Sequence, residues 1–217
     1  MRKSLLLLLS VLISLSVNAQ EKSKKLVVSP TIELGTGFNM AIYNKSFKQS
    51  WNLERSILCH GELLFGVDFK MAHGDIMLQT GIGINNHDFS YKSTYGDYTL
   101  KSLYLDVPTI IGYGIRVGKG ISILFSGGVV VKNLIKYDFG YQSSPPVEIK
   151  KKTVSGLYGA FGIGYRASPN FTFRIEPFFE YFWHGYKSTV AFEAVEYLSA
   201  PIIGIRLALK FNVLKME

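Results

Sequence analysis

Charged side chains recur at every second position within several apolar stretches of this 217-residue chain. In residues 171–181, Arg174, Glu176 and Glu180 share one parity, and large apolar residues occupy most of the other. Two carboxylates beside a guanidinium could perform general acid–base chemistry, and a row of such charges could line an ion path. They could also form ion pairs that fill a closed interior, where each buried charge needs a partner.

Further charges follow the same parity in the other apolar stretches. The set that we predict to face one common interior is Glu33, Glu62, Asp68, Lys70, Asp106, Arg174, Glu176, Glu180, Arg206 and Lys210. Arg174 and Arg206 should lie on neighbouring elements, because they belong to consecutive apolar stretches. Their candidate partners are Glu33, Glu176 and Glu180.

The elements that carry these charges alternate with the period of two that is typical of β-strands. Residues 203–211 repeat the pattern, with large apolar residues at odd positions and glycine, arginine, alanine and lysine between them. A helix would scatter such residues around its circumference. About eight such strands would supply on the order of forty large apolar side chains, whereas an eight-stranded barrel is only just filled by side chains. The apolar face is therefore predicted to point outward, into lipid.

The strands are predicted near residues 26–40, 57–71, 76–85, 99–114, 121–135, 153–166, 171–181 and 197–211. The connections alternate between long and short, with polar loops at 86–98 and 136–152 among the long ones. This rhythm predicts an all-β fold: an eight-stranded antiparallel up-and-down transmembrane β-barrel with both termini periplasmic and the long loops extracellular. Because so narrow an interior is filled by side chains, ion pairs are favoured over an ion path or a catalytic site.

Two further patterns bear on the barrel. Outward aromatic residues are expected at both ends of the strands, where they form interfacial belts; they are Phe69, Tyr113, Tyr165, Phe171 and Phe211 at one end and Tyr181, Trp183 and Tyr197 at the other. Four prolines fall inside predicted strands: Pro30, Pro108, Pro177 and Pro201. Alternation continues in register past Pro108 and Pro177, so local bulges or unpaired carbonyls are expected there rather than a net slip.

The amino terminus predicts export. A basic start, an apolar core of roughly a dozen residues and the sequence Val17-Asn18-Ala19 are typical of a signal peptide, 1–19, that precedes a barrel domain at 20–217. No later stretch reaches the roughly 20 apolar residues of a spanning helix. The expected location is the outer membrane, as an integral protein. The expected partners are membrane lipid, lipopolysaccharide and other envelope proteins, and the dispersed formal charge of +8 does not indicate nucleic acid.

An enzyme is the second alternative to this interpretation, after a small ion or solute channel. A lipid A-modifying enzyme would need serine, histidine and a carboxylate on the outer face near the long loops. Parity turns His60 inward, His73 lies in a short turn, and His87 and His184 have no evident serine nearby. No Gly-x-Ser-x-Gly sequence and no metal-ligand spacing is present, so we predict no catalytic residue, cofactor or metal.

Residues 105–113 also resemble a known family. The sequence Leu105-Asp106-Val107-Pro108, followed by apolar residues and Tyr113, is similar to the fourth strand of PorT-type outer-membrane β-barrels. The Ala19-Gln20 junction and a glycine-rich sixth strand with Gly156, Gly159, Gly162 and Gly164 are similar too. The resemblance implies an eight-stranded outer-membrane barrel, and the namesake is linked to protein secretion and gliding machinery. It implies no catalytic residue; a role of the surface loops in binding, envelope structure or such a machinery is the expectation.

Overall fold

A computed structural model describes residues 27–42, 53–54, 58–71, 73–93, 96–140, 153–182 and 201–213 of the chain. Its main elements are the strands β1 (Val27–Ala41), β2 (Leu58–Lys70), β3 (Gly74–Ser93), β4 (Gly96–Arg116), β5 (Ile121–Gly140), β6 (Thr153–Ser168), β7 (Phe171–Phe182) and β8 (Ile202–Asn212). A two-residue strand, Leu53–Glu54, pairs with β3. Within the described residues, no helix is long and apolar enough to cross a membrane.

The strands form one closed antiparallel sheet. Each strand from β1 to β8 pairs with the next along the chain, and β8 pairs with β1 over Thr31↔Asn212 to Ala41↔Ile202. The predicted eight-stranded up-and-down barrel is confirmed. The connections β2–β3, β4–β5 and β6–β7 lie at one end, which we name the turn end, and the other connections lie at the loop end.

The outer surface of the barrel is apolar, and its interior contains charged, polar and apolar side chains. On β7, burial alternates residue by residue from Phe173 to Phe182, with Arg174, Glu176 and Glu180 among the buried positions. Every barrel strand presents large apolar side chains that are about half exposed; one from each is Leu34, Phe65, Ile82, Ile111, Phe125, Ile163, Ile175 and Ile205. The apolar face therefore points outward, as predicted from the number of large apolar side chains and the small volume of an eight-stranded interior.

The strand prolines interrupt the ladder without shifting it. The β3–β4 register is the same on both sides of Pro108, although the pairs of Val107 and Pro108 with β3 are missing. The β6–β7 register likewise continues past Pro177, whose pair with β6 is missing. A proline has no N–H to donate, so each one leaves a gap in the ladder on one side. The expected absence of a register slip is confirmed, and Pro201 precedes β8 rather than lying inside it.

Three strands extend well past the barrel at the loop end, where the sequence predicted polar loops. Pairing between β2 and β3 ends at His60↔Asn85, yet β3 and β4 remain paired as far as Ser93↔Gly96. Strand β5 accompanies β4 up to Gly140. The loop predicted at 86–98 is therefore wrong, as is the start of the loop predicted at 136–152. Residues 86–93 of β3 alone carry this three-stranded extension about 27 Å beyond the last β2 pair.

Aromatic side chains surround the turn end of the barrel. Tyr113, Tyr165 and Phe211 are exposed there, and the rings of Phe171 and Phe211 lie 5.1 Å apart. At the loop end Tyr181 is exposed as well. Trp183 and Tyr197, which were predicted to belong to the second belt, lie outside the described residues.

Candidate functional site: the charged barrel interior

Two arginines and two glutamates form a closed ring of alternating charges inside the barrel. Arg174 Nη1 lies 2.6 Å from Oε2 of Glu33, and Arg174 Nη2 lies 2.6 Å from Oε1 of Glu176. Arg206 completes the ring, because its two terminal nitrogens donate to the remaining oxygens of Glu33 and Glu176. All four side chains are at most 3% exposed. Each carboxylate thus bridges both guanidiniums, a geometry that suits the planar fork of arginine.

The strand register explains how this ring closes. Glu176 on β7 lies directly opposite Arg206 on β8, while Arg174 lies opposite the small Ala208. Ala208 in turn faces Gly35 on β1. The small side chain of Ala208 leaves room on the interior surface for Arg174 to reach past β8 to Glu33.

Strands β2 and β3 extend the network on the other side. Glu62 accepts a hydrogen bond from Nε of Arg206. A Cβ on the facing Gly35 would lie 2.5 Å from the Glu62 carboxylate, so glycine is required for this approach. Gln79 Nε2 donates to Glu33 over 3.0 Å. The central network therefore joins side chains from β1, β2, β3, β7 and β8.

A second cluster lies on the opposite wall. Lys132 on β5 is 2% exposed, and its Nζ lies 2.8 Å from Oδ2 of Asp106 on β4 and 2.9 Å from Oε2 of Glu180 on β7. A third pair joins Lys210 on β8 to Asp68 on β2 over 2.5 Å. A buried charge that loses its partner is strongly destabilising, so these pairs constrain which strands can lie together.

The structure brings the residues singled out from the sequence into this interior. Glu33, Asp106, Arg174, Glu176, Glu180, Arg206 and Lys210 are all buried, and the side chain of Glu62 is 12% exposed. One predicted pairing is wrong: Glu180 contacts Lys132 and not an arginine. The reason is the separation of positions 176 and 180 along β7, which places Glu180 two strand repeats, about 13 Å, nearer to the loop end.

Sequence reasoning missed Lys132. Apolar residues occupy both faces of β5 from Val129 to Val131, so the alternation that would have assigned Lys132 to the interior is obscured. A charge count would have indicated it. The predicted interior set holds six carboxylates and four cations, which leaves carboxylates without partners unless another base joins them.

Two cavities flank the central ring. The turn-end cavity is lined by Arg174 and Lys210 and opens at the short turns. The loop-end cavity is lined by His60, Glu62, Asp106, Glu180 and Arg206. Arg174 lines only the first cavity and Arg206 only the second, and neither is lined by Glu33 or Glu176. The ring therefore stands between the two cavities.

The interior carboxylates are engaged in ion pairs rather than arranged as an acid–base couple. Glu176 belongs to the arginine ring and Glu180 to the lysine cluster, so the two are held by different partners. His60 faces inward, as its parity predicts, with its ring 5.3 Å from that of Phe178. Among the described residues, no group of three or more histidine, cysteine, aspartate or glutamate side chains is placed to hold a metal.

The fold is shared with a known surface protein. No protein-family model and no curated protein matches the sequence. The chain is similar to the crystal structure of Neisserial surface protein A, with 10% identity, a TM-score of 0.50 and coverage of 85% of this chain and 98% of that one. It is also similar to the crystal structure of OprG, an outer membrane protein from Pseudomonas aeruginosa, with 13% identity, a TM-score of 0.49 and coverage of 88% of this chain and 98% of that one. For Ail, the attachment invasion locus protein of Yersinia pestis, the identity is 10%, the TM-score is 0.43, and the coverage is 87% of this chain and 100% of that one. The first similarity shows a shared barrel fold, the other two carry no further weight, and the PorT resemblance stays a prediction.

Proposed function

We propose that this protein is an integral outer-membrane barrel with a closed interior that acts through the structures at its loop end. The observation that carries the proposal is the ring of Glu33, Arg174, Glu176 and Arg206, which links β7, β8 and β1 inside the barrel and is extended to β2 and β3 by Glu62 and Gln79. A conducting lumen would need water or mobile side chains where these four groups hold each other. The interior is thus a structural brace, and the partner-binding surface lies elsewhere.

The outer surface supports insertion into lipid. Large apolar side chains on all eight barrel strands are about half exposed, a far larger apolar surface than a soluble monomer presents. Each square ångström of such surface costs about 25 cal/mol in water, and lipid removes this cost. Closure of the sheet leaves no unpaired edge around the barrel, which is the condition for strands to span a membrane.

The β3–β4–β5 extension supports a role at the loop end. It is a paired sheet rather than a polar loop, so hydrogen bonds between strands hold its backbone. Binding residues are often carried by such segments on a rigid scaffold. We assign to this end the contacts with lipopolysaccharide and with other envelope proteins, including the secretion or gliding machinery that the PorT resemblance implies. We assign no catalytic step to the protein.

A small channel is the second candidate, and the two interior cavities favour it. They lie on the two sides of the ring, so the ring would have to move before the cavities could connect. The two functions differ in what the ring must do: it stays closed in a scaffold and opens in a channel.

Surface labelling tests the topology that the proposal requires. Cys59 is exposed on β2, so it is first replaced by alanine. Single cysteines are then introduced at Ser144, in the connection after β5, and at Lys119, in the turn before it. An impermeant thiol reagent on whole cells should label the Ser144→Cys protein and leave the Lys119→Cys protein unmodified, and both should fractionate with the outer membrane. Labelling of Lys119→Cys alone would show that the turn end, and not the loop end, faces the outside of the cell, and would contradict the proposal.

A further inference from the structure

The turn-end cavity carries a strong excess of positive charge. Five cationic side chains line it, Lys70, Arg116, Arg166, Arg174 and Lys210, against two carboxylates, Asp68 and Asp75. Because Arg174 is already paired with Glu33 and Glu176 in the ring, the remaining lining carries a net charge of +2. About 60 Å³ of the cavity can hold the centre of a water molecule, and the cavity is open to solvent at its mouth. A recess walled by low-dielectric protein concentrates the field of such charges and attracts anions.

The mouth of this cavity holds a pair of arginines on one carboxylate. Asp75 on β3 contacts Arg116 of β4 through one oxygen and Arg166 of β6 through the other, the latter at 3.4 Å. The arginine side chains are 35% and 39% exposed, so they are reachable from solvent. One carboxylate cannot satisfy the ten donors of two guanidiniums, and the remaining donors are available to an anion.

The inner wall supplies buried donors. Lys210 is 5% exposed and hydrogen-bonds to Asp68, while Arg174 is 3% exposed. Arg174 spends its terminal nitrogens on the ring, but its Nε has no hydrogen-bond partner among the described residues. Built donors thus lie at both depths of the cavity.

From this arrangement we propose that the turn-end cavity is a binding site for a small phosphate-bearing anion. The chemistry favours phosphate over a single carboxylate, because a multiply charged tetrahedral group offers more charge and more acceptor oxygens to an excess of two cations. Such a site is separate from the loop-end surface of the proposed function. The turn end of the barrel would bind the anion, and the loop end would bind the partners of the proposed function.

Calorimetric titration of the folded barrel in detergent micelles with inorganic pyrophosphate, at fixed ionic strength, tests the site. The unmodified protein should show saturable binding that weakens as sodium chloride is raised. Arg116→Gln and Arg166→Gln should each lower the affinity about tenfold, the loss of one charge-assisted hydrogen bond. Lys119→Gln is the matched control, because Lys119 is exposed on the adjoining turn but does not line the cavity.

The outcomes separate a built site from diffuse attraction. Unchanged binding by Lys119→Gln together with the two losses supports the site. Absence of saturable binding overturns it, and so does an equal loss in all three variants, which would report net charge alone. Acetate serves as the second ligand: binding as tight as that of pyrophosphate would overturn the assignment to phosphate. Each variant is checked for folding by its heat-dependent shift on gels.

Discussion

Arg174 of β7 lies within 2.6 Å of Glu33 of β1, although strand β8 separates the two strands in the sheet. The contact crosses the interior rather than following the ladder, so it joins strands that the backbone does not. Arg206, on the intervening β8, bonds to the same glutamate. Glu33 therefore fastens three consecutive strands, including the β1–β8 seam where the first and last strands close the barrel.

Removing Arg206 should destabilise the barrel strongly. Its guanidinium contacts three carboxylates, those of Glu33, Glu62 and Glu176. In the Arg206→Met protein, Arg174 would be the one remaining cation of the ring. Stranding a buried charge costs about 3–5 kcal/mol of unfolding free energy. Denaturant unfolding of the refolded protein measures the change, and adding Glu33→Gln to the arginine variant should restore part of it.

Leu207→Ile provides the control for that measurement, because Leu207 is the exposed apolar neighbour of Arg206. It should change the unfolding free energy by less than about 1 kcal/mol. An Arg206→Met protein as stable as this control would mean that water, and not the ion-pair ring, surrounds Arg206.

Lys132 should behave like Arg206 even though the sequence did not reveal it. Lys132→Met removes the cation between Asp106 and Glu180 and should cost roughly 3–5 kcal/mol of unfolding free energy. Lys136→Met is a matched change on the same strand at an exposed position, and it should stay within about 0.5 kcal/mol of the unmodified protein. Similar unfolding midpoints for the two lysine variants would contradict the buried cluster.

Glycine at position 162 should be needed because of Glu176. A Cβ there would lie 2.6 Å from Cγ of Glu176 and would also meet the backbone oxygen of Ile175. Gly162→Ala should therefore lower the unfolding free energy by about 1–3 kcal/mol. Gly159→Ala on the same strand meets nothing within 4 Å and should be nearly neutral when both are compared by denaturant unfolding. The reverse order of the two effects would show that the interior near Glu176 is open.

The sequence predicted the barrel and most of its interior because alternation assigns a face to each residue without knowledge of its neighbours. Arg174, Glu176 and Arg206 follow directly from parity on β7 and β8. Which cation meets which carboxylate depends on register and on small residues such as Ala208, and this is why Glu180 was assigned the wrong partner. Lys132 was hidden by apolar residues on both faces of its strand.

The loop-end extension was missed for a different reason. Phe89 and Tyr91 do alternate with polar residues, but neither face is uniformly apolar, and Tyr95-Gly96-Asp97 is typical of a turn. Outside the membrane a strand does not need an apolar face. Backbone hydrogen bonds keep β3 and β4 together there, and such bonds cannot be read from the amino-acid composition.

The extension should be separable from the barrel. Replacing residues 87–102 by Asn-Gly keeps the last pair Asn86↔Leu103 and offers a two-residue hairpin turn. The trimmed protein should still fold, with the heat-dependent gel shift retained, while surface cross-links to envelope partners are lost. Loss of folding would show that the extension stabilises the barrel instead of presenting a binding surface.

Conductance of the purified barrel in planar lipid bilayers tests most directly whether the interior is closed. With the ring of Glu33, Arg174, Glu176 and Arg206 intact between the two cavities, the protein should insert without producing a steady current across a range of voltages and salt concentrations. A reproducible, ion-selective open state of the unmodified protein would contradict the closed interior and favour the channel.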